Sequence, residues 1–187
     1  MDHEPDPTSL AQGQRPKAVA DLYREYGRQV TRWAARLAGP WLEVDDIVQE
    51  VFLVAHQQLE GFRGDSLVST WLFSITNNVV RHRRRKERLR HWLLGKAAHE
   101  LPVQAPRLTP VEVLERNQAS ATVYRALDGM AEKYRTPFVL FEIEGLSGQE
   151  IAQLTGVHPT TLRVHLLRAR EQFAARIAVL QDRERTT

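Results

Sequence analysis

The stretch LSGQEIAQLTGVHPTTLRVHLLRAR, Leu146 to Arg170, decides how the rest of the chain is interpreted. Ser147 followed three residues later by Glu150 is the pattern of a capping box, in which a hydroxyl and a carboxylate each accept a backbone amide at the start of a helix. Gly156 suits the end of that helix, and Pro159 suits the first turn of the next one. A short helix, a tight turn and a basic second helix form the helix-turn-helix pattern, whose second helix enters the major groove of DNA.

The predicted second helix carries its apolar and basic residues on different sides. Leu162, Leu166 and Ala169 recur at steps of four and three, as in a helix with one buried face. The basic residues lie mostly off that stripe: Arg163, His165, Arg168, Arg170 and Arg176. A DNA-binding helix has this distribution, but so does an ordinary helical hairpin with a solvated basic face. The segment alone therefore leaves both interpretations open.

Composition excludes several classes of protein. The 187 residues carry a formal net charge of +3 and include no cysteine, so neither a disulfide framework nor a thiolate metal site can form. No apolar run approaches the roughly 20 residues that span a bilayer, and the polar, acidic start of the chain is unlike a secretory signal. No Gly-rich phosphate loop or nucleophile motif is present. We therefore expect a cytoplasmic protein that is not an enzyme and holds neither a cofactor nor a metal.

Three amphipathic helices are predicted after residues 1–16, which have little to bury and are expected to be a disordered extension. The first begins at Val19 and ends at Gly39-Pro40. The second begins near Glu43, and a loop separates it from a third helix that Ser66 would cap. The apolar positions expected to face one core are Leu22, Tyr26, Val30, Trp33, Leu37, Ile47, Val48, Val51, Phe52, Ala55, Leu59, Leu67, Trp71, Leu72, Ile75 and Val79.

The third predicted helix continues into a strongly basic segment, RHRRRKERLRH, Arg81 to His91. This segment holds seven arginines and lysines and a single glutamate. A few cations stabilise the C-terminus of a helix, but that role leaves most of the charge unexplained. Clustered cations of this density are typical of a surface that binds nucleic-acid phosphates.

A proline-containing stretch divides the chain into two helical domains. Residues 95–109 have few periodic apolar positions and are predicted to be a flexible linker. Thr109-Pro110 marks the start of a new helix, and a further helix lies within residues 132–144. No stretch alternates in the manner of a β-strand. The predicted fold class is all-α, with small helical domains over residues 17–94 and 110–180.

Taken in order, these segments resemble the extracytoplasmic-function (ECF, group IV) sigma factors of bacterial RNA polymerase, the minimal members of the sigma-70 family. The resemblance covers about Val19 to Ile177. LYREYGRQVTRWAARL is similar to the family's opening helix, and DDIVQEVFLVAHQQLEGFRGD is similar to its most diagnostic segment. The resemblance implies sigma domain 2 before the linker and the helix-turn-helix sigma domain 4 after it.

The resemblance also implies partners for the first domain. The family's second helix binds the clamp helices of the polymerase largest-subunit pair, and the matching residues here are Asp45, Asp46, Gln49 and Glu50. STWLFSITNNVVRHRRR is similar to the helix that recognises and opens the promoter −10 element. The residues implied for that contact are Trp71, Asn78, Arg81, Arg83, Arg84 and Arg85. The loop over residues 61–69 would border the pocket for a flipped-out base.

In the second domain the resemblance extends from Leu127 to Arg170. It implies that the −35 element is contacted by Thr160, Thr161, Arg163, His165 and Arg168. Tyr134, Phe138 and Phe141 would include the seat for the flap tip of the second-largest polymerase subunit. Core RNA polymerase and promoter DNA are the implied partners, an anti-sigma factor is the implied regulator, and no membrane insertion is expected.

The chain departs from the family pattern at four places. Met130-Ala131 stands where Leu-Pro is usual, Gly148 where an aromatic or polar residue is usual, and His82 where an acid is common. On the recognition helix, Arg163-Val164-His165 replaces a frequent Lys-Ser-Arg. These departures leave the promoter sequence open. Pro137 raises a separate question, whether its helix starts one turn late or bends.

Three other functions fit part of the pattern. A helix-turn-helix repressor or activator with an unrelated dimerisation domain would explain Leu146 to Arg170, but not the acidic second helix or the first basic segment. An enzyme is disfavoured because the seven histidines are scattered along the chain. A membrane-surface protein is disfavoured because the basic segment lacks a matching apolar face.

Overall fold

The computed structural model describes residues 18–94 and 120–185. The predicted N-terminal extension, the linker over residues 95–109 and the helix start at Thr109-Pro110 lie outside these ranges. Within them, every regular element is a helix, which confirms the all-α prediction. None of the described helices is both long and apolar enough to cross a membrane.

Helices α1 (Val19–Ala38), α2 (Val44–Gln58) and α3 (Val68–Leu94) form the N-terminal unit. The first ends where the sequence predicts, at Gly39, whose φ of 74° is a conformation that glycine adopts without strain. Helix α2 begins near Glu43, as the sequence predicts, with Glu43 as its N-cap.

The three helices of the N-terminal unit bury one apolar core. Trp33 is the largest fully buried side chain among the described residues. Its ring meets Phe73 edge to face, with ring centroids 5.2 Å apart. Each large apolar side chain buried in this way stabilises the fold by about 1.5–3 kcal/mol. The prediction for Leu67 is wrong, because this residue precedes α3 and is 40% exposed. Trp71 is only half-buried.

Helix α3 is a single element of 27 residues that joins the core of the N-terminal unit to the basic segment. Trp92 and Leu93 extend this helix and are 78% and 67% exposed.

The C-terminal unit contains helical residues 120–128 (α4), α5 (Glu132–Phe138), α6 (Gly148–Thr155) and α7 (Pro159–Arg185). A π-helical turn, Val139–Ile143, continues α5 directly. Pro137 lies inside α5, so the helix does not start late. Proline has no N–H to donate to the regular hydrogen-bond ladder, and the wider π-helical turn follows it directly.

The predicted helix-turn-helix is present. The Ser147 amide donates to Glu150 Oε2 (2.7 Å) and the Glu150 amide donates to Ser147 Oγ (3.3 Å), which completes the capping box. Gly156 ends α6 in the left-handed conformation, with φ of 68°. Leu162 and Ala169 face inward from α7.

The C-terminal unit packs directly against the N-terminal unit. Helix α6 lies against α3, and the π-helical turn lies against α1. Buried apolar side chains of both units belong to one continuous cluster. The two helices predicted to contact the promoter, α3 and α7, are therefore held within one packed arrangement.

Candidate polymerase and promoter surfaces

The residues predicted to bind core polymerase lie along one side of α2. Asp45 and Asp46 stand in its first turn, where negative charge interacts favourably with the helix dipole. The side chains of Asp45, Asp46 and Gln49 are exposed, and Glu50 is half-buried. Because residues three and four apart share a helix face, these four side chains form an acidic patch at the start of α2.

This acidic patch touches the basic segment of α3. Arg83 Nε donates to Glu50 Oε2 at 2.6 Å, and Arg83 Nη1 lies 3.8 Å from Asp46 Oδ2. A residue predicted to bind DNA is thus paired with two residues predicted to bind polymerase. Their charges partly neutralise each other in this arrangement.

The basic residues of α3 do not share one environment. Arg81 and Arg85 are exposed, as the DNA-binding prediction requires. Arg84 is only 5% exposed and points to the C-terminal unit. Its Nη2 donates to Asp128 Oδ1 (2.7 Å) and its Nη1 donates to Glu132 Oε1 (2.6 Å). In the packed arrangement Arg84 is occupied by protein partners.

Arg84, Asp128, Glu132 and Arg135 form an interdomain ion-pair cluster. Arg135 is fully buried, and its Nη2 lies 4.0 Å from Asp128 Oδ1. Burial, followed by the nearby charge of Arg84, lowers the pKa of Arg135 to about 10. The cluster therefore holds two buried cations against two half-buried carboxylates, and removal of the carboxylates leaves buried charge uncompensated.

Other polar contacts join the two units. Trp41 Nε1 donates to Asp128 Oδ2 at 3.1 Å, so this one carboxylate accepts from two elements of the N-terminal unit. Thr136 Oγ1 donates to Asn77 Oδ1 at 3.3 Å. Arg32 Nε lies 2.5 Å from an oxygen of Glu144, whose side chain is only 4% exposed.

Trp71 and Asn78, both predicted for the −10 element, lie on α3 above the loop that precedes it. The Trp71 ring stacks on Phe62 of that loop, with centroids 4.7 Å apart and ring planes 29° apart. Asn78 is exposed and, seven residues further along, projects from the same side of the helix. Thr70 Oγ1 donates to the Gln153 carbonyl of α6 at 3.4 Å, so the C-terminal unit lies immediately beside this surface.

The residues predicted for the −35 element occupy different positions around α7. Thr160, Thr161, Arg163 and Arg168 are exposed, whereas His165 is half-buried. The His165 ring meets Tyr134 edge to face at 5.5 Å, and its Nδ1 is buried with no hydrogen-bond partner among the described residues. Arg168 Nη1 donates a hydrogen bond to the Tyr134 hydroxyl at 3.4 Å, and this bond lowers the pKa of the Tyr134 phenol.

The aromatic residues predicted to seat the flap tip lie mainly inside the C-terminal unit. Tyr134 and Phe138 are 8% and 6% exposed, and Phe138 packs on Phe173 with ring centroids 4.8 Å apart. Phe141 is half-buried, and the Arg170 guanidinium lies over its ring at 5.3 Å. Of the three, only Phe141 offers substantial surface.

Sequence reasoning missed the residues that hold the two units together. Asp128 and Glu132 lie four residues apart across the α4–α5 turn, and their partner Arg84 is 44 and 48 residues away. Two acids near a turn are a common surface pattern, and nothing in their spacing signals a distant arginine. Val164, one of the departures from the family pattern, is 46% exposed on the recognition helix.

Two family models match the chain. Residues 22–90 match "Sigma-70 region 2", which covers most of α1, all of α2 and nearly all of α3. Residues 120–173 match "Sigma-70, region 4", which covers α4 to the middle of α7. Together they account for most of the described residues.

Named proteins with similar sequences agree with these models. The chain is 30% identical to the ECF RNA polymerase sigma factor SigE of Mycolicibacterium smegmatis over 154 residues, which is 82% of this chain and 59% of that relative. The match to the RNA polymerase sigma factor NccH of Alcaligenes xylosoxydans xylosoxydans is 29% identical and covers 84% of this chain and 86% of the relative.

A solved structure shares the fold. The sigma factor RpoE of Bartonella quintana, in a co-crystal structure with the anti-sigma factor NepR, gives a TM-score of 0.52 at 20% identity and covers 85% of this chain and 98% of that one. Both domains, their order and the type of relative agree: the chain belongs to the sigma-70 family, as a sigma factor of the extracytoplasmic-function group.

Proposed function

We propose that this sigma factor binds core RNA polymerase through the acidic patch of α2 and directs initiation at promoters whose −10 element contacts α3 and whose −35 element contacts α7. One observation carries the proposal: a single fold combines an acidic helix face, an exposed basic helix and a capped helix-turn-helix. A repressor or activator needs only the last of these.

The charges of α2 and α3 support these separate roles in polymerase and DNA binding. The exposed carboxylates of Asp45 and Asp46 favour a basic protein surface, and the exposed guanidinium groups of Arg81 and Arg85 favour phosphates. Acidic and basic surfaces on adjacent helices orient the chain between polymerase and DNA. In this proposal the recognition helix locates the promoter, and α3, with the Trp71–Phe62 pair at one end, opens it.

We infer further that the two units separate on the promoter. The −10 and −35 elements lie well apart along a duplex, whereas α6 is packed beside the −10 surface of α3. Separation loses the ion pairs of Arg84 with Asp128 and Glu132, although water then solvates all of these charges. Contacts with polymerase and DNA offset this loss, and Arg84 would be freed for phosphate when the units separate.

An anti-sigma factor is the regulator we propose, as is usual in the ECF group. The B. quintana sigma factor of the same fold is described in complex with one. A regulator that holds the two units in contact would keep Arg84 paired and α6 beside the −10 surface.

Run-off transcription with purified core polymerase on genomic fragments tests the proposal. We expect discrete transcripts only when the chain is added, from fragments that share two spaced sequence elements. Specific DNA binding by the chain alone, without any promoter-specific transcript in the presence of core polymerase, would instead identify a repressor or activator. The transcripts also define the promoter for the experiments below.

A further inference from the structure

The middle of the exposed side of α7 is apolar. Val164 is 46% exposed and Leu167 is 59% exposed, one turn apart in the first three turns of the recognition helix. Arg163 and Arg168 lie next to them in sequence and are also exposed. On a helix that enters a major groove, such side chains are positioned to contact the apolar group that the groove presents.

Helix geometry places Val164 opposite the core. Leu162, Leu166 and Ala169 are 2%, 7% and 0% exposed and define the buried side of α7. Since each residue turns the helix by about 100°, Val164 projects roughly 170° from the middle of that side. Arg163 and His165, its sequence neighbours, project only roughly 90° and 70° from it on the two flanks.

The two flanks of α7 contact the rest of the C-terminal unit, on either side of the face that carries Val164. On one flank His165 packs against Tyr134, and on the other Arg170 Nε donates to Glu142 Oε1 at 2.7 Å. These contacts fix the helix against α5 and the π-helical turn. The surface that leads into a major groove is then centred on Val164, with Thr160 beside it.

We infer that Val164 is a specificity-determining residue that contacts the C5-methyl group of a thymine in the −35 element. Valine has neither donor nor acceptor, and the thymine methyl is the only apolar group that a base pair presents in the major groove. Val164 stands in the second turn of α7, within the N-terminal part of a recognition helix that reaches base edges. The inference rests on the proposed function and adds a residue and a base to it.

The test removes either the thymine methyl from the DNA or the two methyl groups of Val164 from the protein. Holoenzyme binding is measured on the promoter obtained by run-off transcription, with each −35 thymine replaced in turn by deoxyuridine, which lacks only that methyl. We expect one replacement to weaken binding by about fourfold, the value of one buried methyl group. Val164→Ala should weaken binding to the thymine promoter by a similar factor and should be insensitive to deoxyuridine at that same position.

Val179→Ala is the matched control, because Val179 is 53% exposed on the same helix but far from its N-terminus. It should bind both promoters as the wild type does. The inference is overturned if replacing that thymine by deoxyuridine weakens binding of Val164→Ala as much as it weakens binding of the wild type. It is also overturned if no −35 methyl group affects wild-type binding. Failure of the proposed function looks different, since the wild-type chain would then form no promoter complex with core polymerase.

Discussion

Three consecutive arginines of α3 have three different environments. Arg83 pairs with Glu50, Arg84 is buried among acids of the C-terminal unit, and Arg85 is exposed. A helix turns by about 100° per residue, so neighbours in sequence face different surroundings. Only the exposed members of this group form a ready surface for DNA.

The Glu50–Arg83 pair leads to a prediction about polymerase binding. Glu50→Arg should weaken core binding, because it reverses a charge in the acidic patch and repels Arg83. The double variant Glu50→Arg with Arg83→Glu restores an ion pair within the chain but not the charge offered to polymerase. Pull-down with core polymerase should therefore find both variants impaired. Recovery in the double variant would mean that Glu50 acts only by holding Arg83.

The exposed arginines lead to a prediction about DNA binding. Arg81→Ala with Arg85→Ala should reduce the slope of log affinity against log salt concentration by about two, since each lost phosphate contact removes about 0.9. Promoter binding by holoenzyme is measured between low and moderate salt. A weaker complex with an unchanged slope would show that these side chains do not contact phosphates.

At the scale of elements, two glycines next to helix ends should respond in opposite directions to alanine. Gly148 is the first residue of α6 with open space where a Cβ would lie, so Gly148→Ala should stabilise the fold by about 0.5–1 kcal/mol. Gly39 has φ of 74°, and a Cβ there would lie 2.6 Å from Cδ1 of Tyr124. Gly39→Ala should destabilise the fold by about 1–2 kcal/mol or more. Urea denaturation measures both, and equal effects would contradict this account of the helix ends.

The elements themselves were largely predictable because their signals are local. Periodic apolar residues locate α1 and α2, and the Ser147–Glu150 capping box and Gly156 locate the helix-turn-helix, since each interaction spans only a few residues. The π-helical turn after Pro137 was not predictable. Proline interrupts a helix by bending it, ending it or widening it, and packing against the rest of the fold decides among these outcomes.

At the scale of the whole molecule, the packing of the two units could not be predicted from the sequence. The partners of Arg84 are separated from it by more than 40 residues and by a segment outside the described ranges. The same basic segment could have been entirely solvent-exposed without any change in helix pattern. The sequence therefore predicts that the basic segment of α3 binds DNA, but only the structure reveals which of its side chains are exposed in the packed state.

Removal of the carboxylates of the interdomain ion-pair cluster should make the molecule less compact. Asp128→Ala with Glu132→Ala leaves Arg84 and Arg135 without these carboxylates and removes the contact of Trp41 Nε1 with Asp128, so the packed arrangement should lose much of its stability. Small-angle X-ray scattering should find a larger radius of gyration. Glu142→Ala is the control, since Glu142 pairs with Arg170 inside the C-terminal unit. An unchanged radius in the double variant would mean that the cluster does not hold the units together.

The central claim is that one chain recognises two promoter elements with units that must separate, and a reversible lock tests it most directly. The natural chain contains no cysteine, so Asn77→Cys with Thr136→Cys would supply its single disulfide, at a place where the two side chains meet across the interface. Formation of the bond is checked by mobility on a non-reducing gel.

Run-off transcription with core polymerase is then measured with the oxidised and the reduced variant. We predict promoter-specific transcripts from the reduced chain and few or none from the locked one. Equal transcription in both states would contradict the separation of the units. Absence of transcripts in both states, with the wild-type chain also inactive, would contradict the assignment of sigma activity itself.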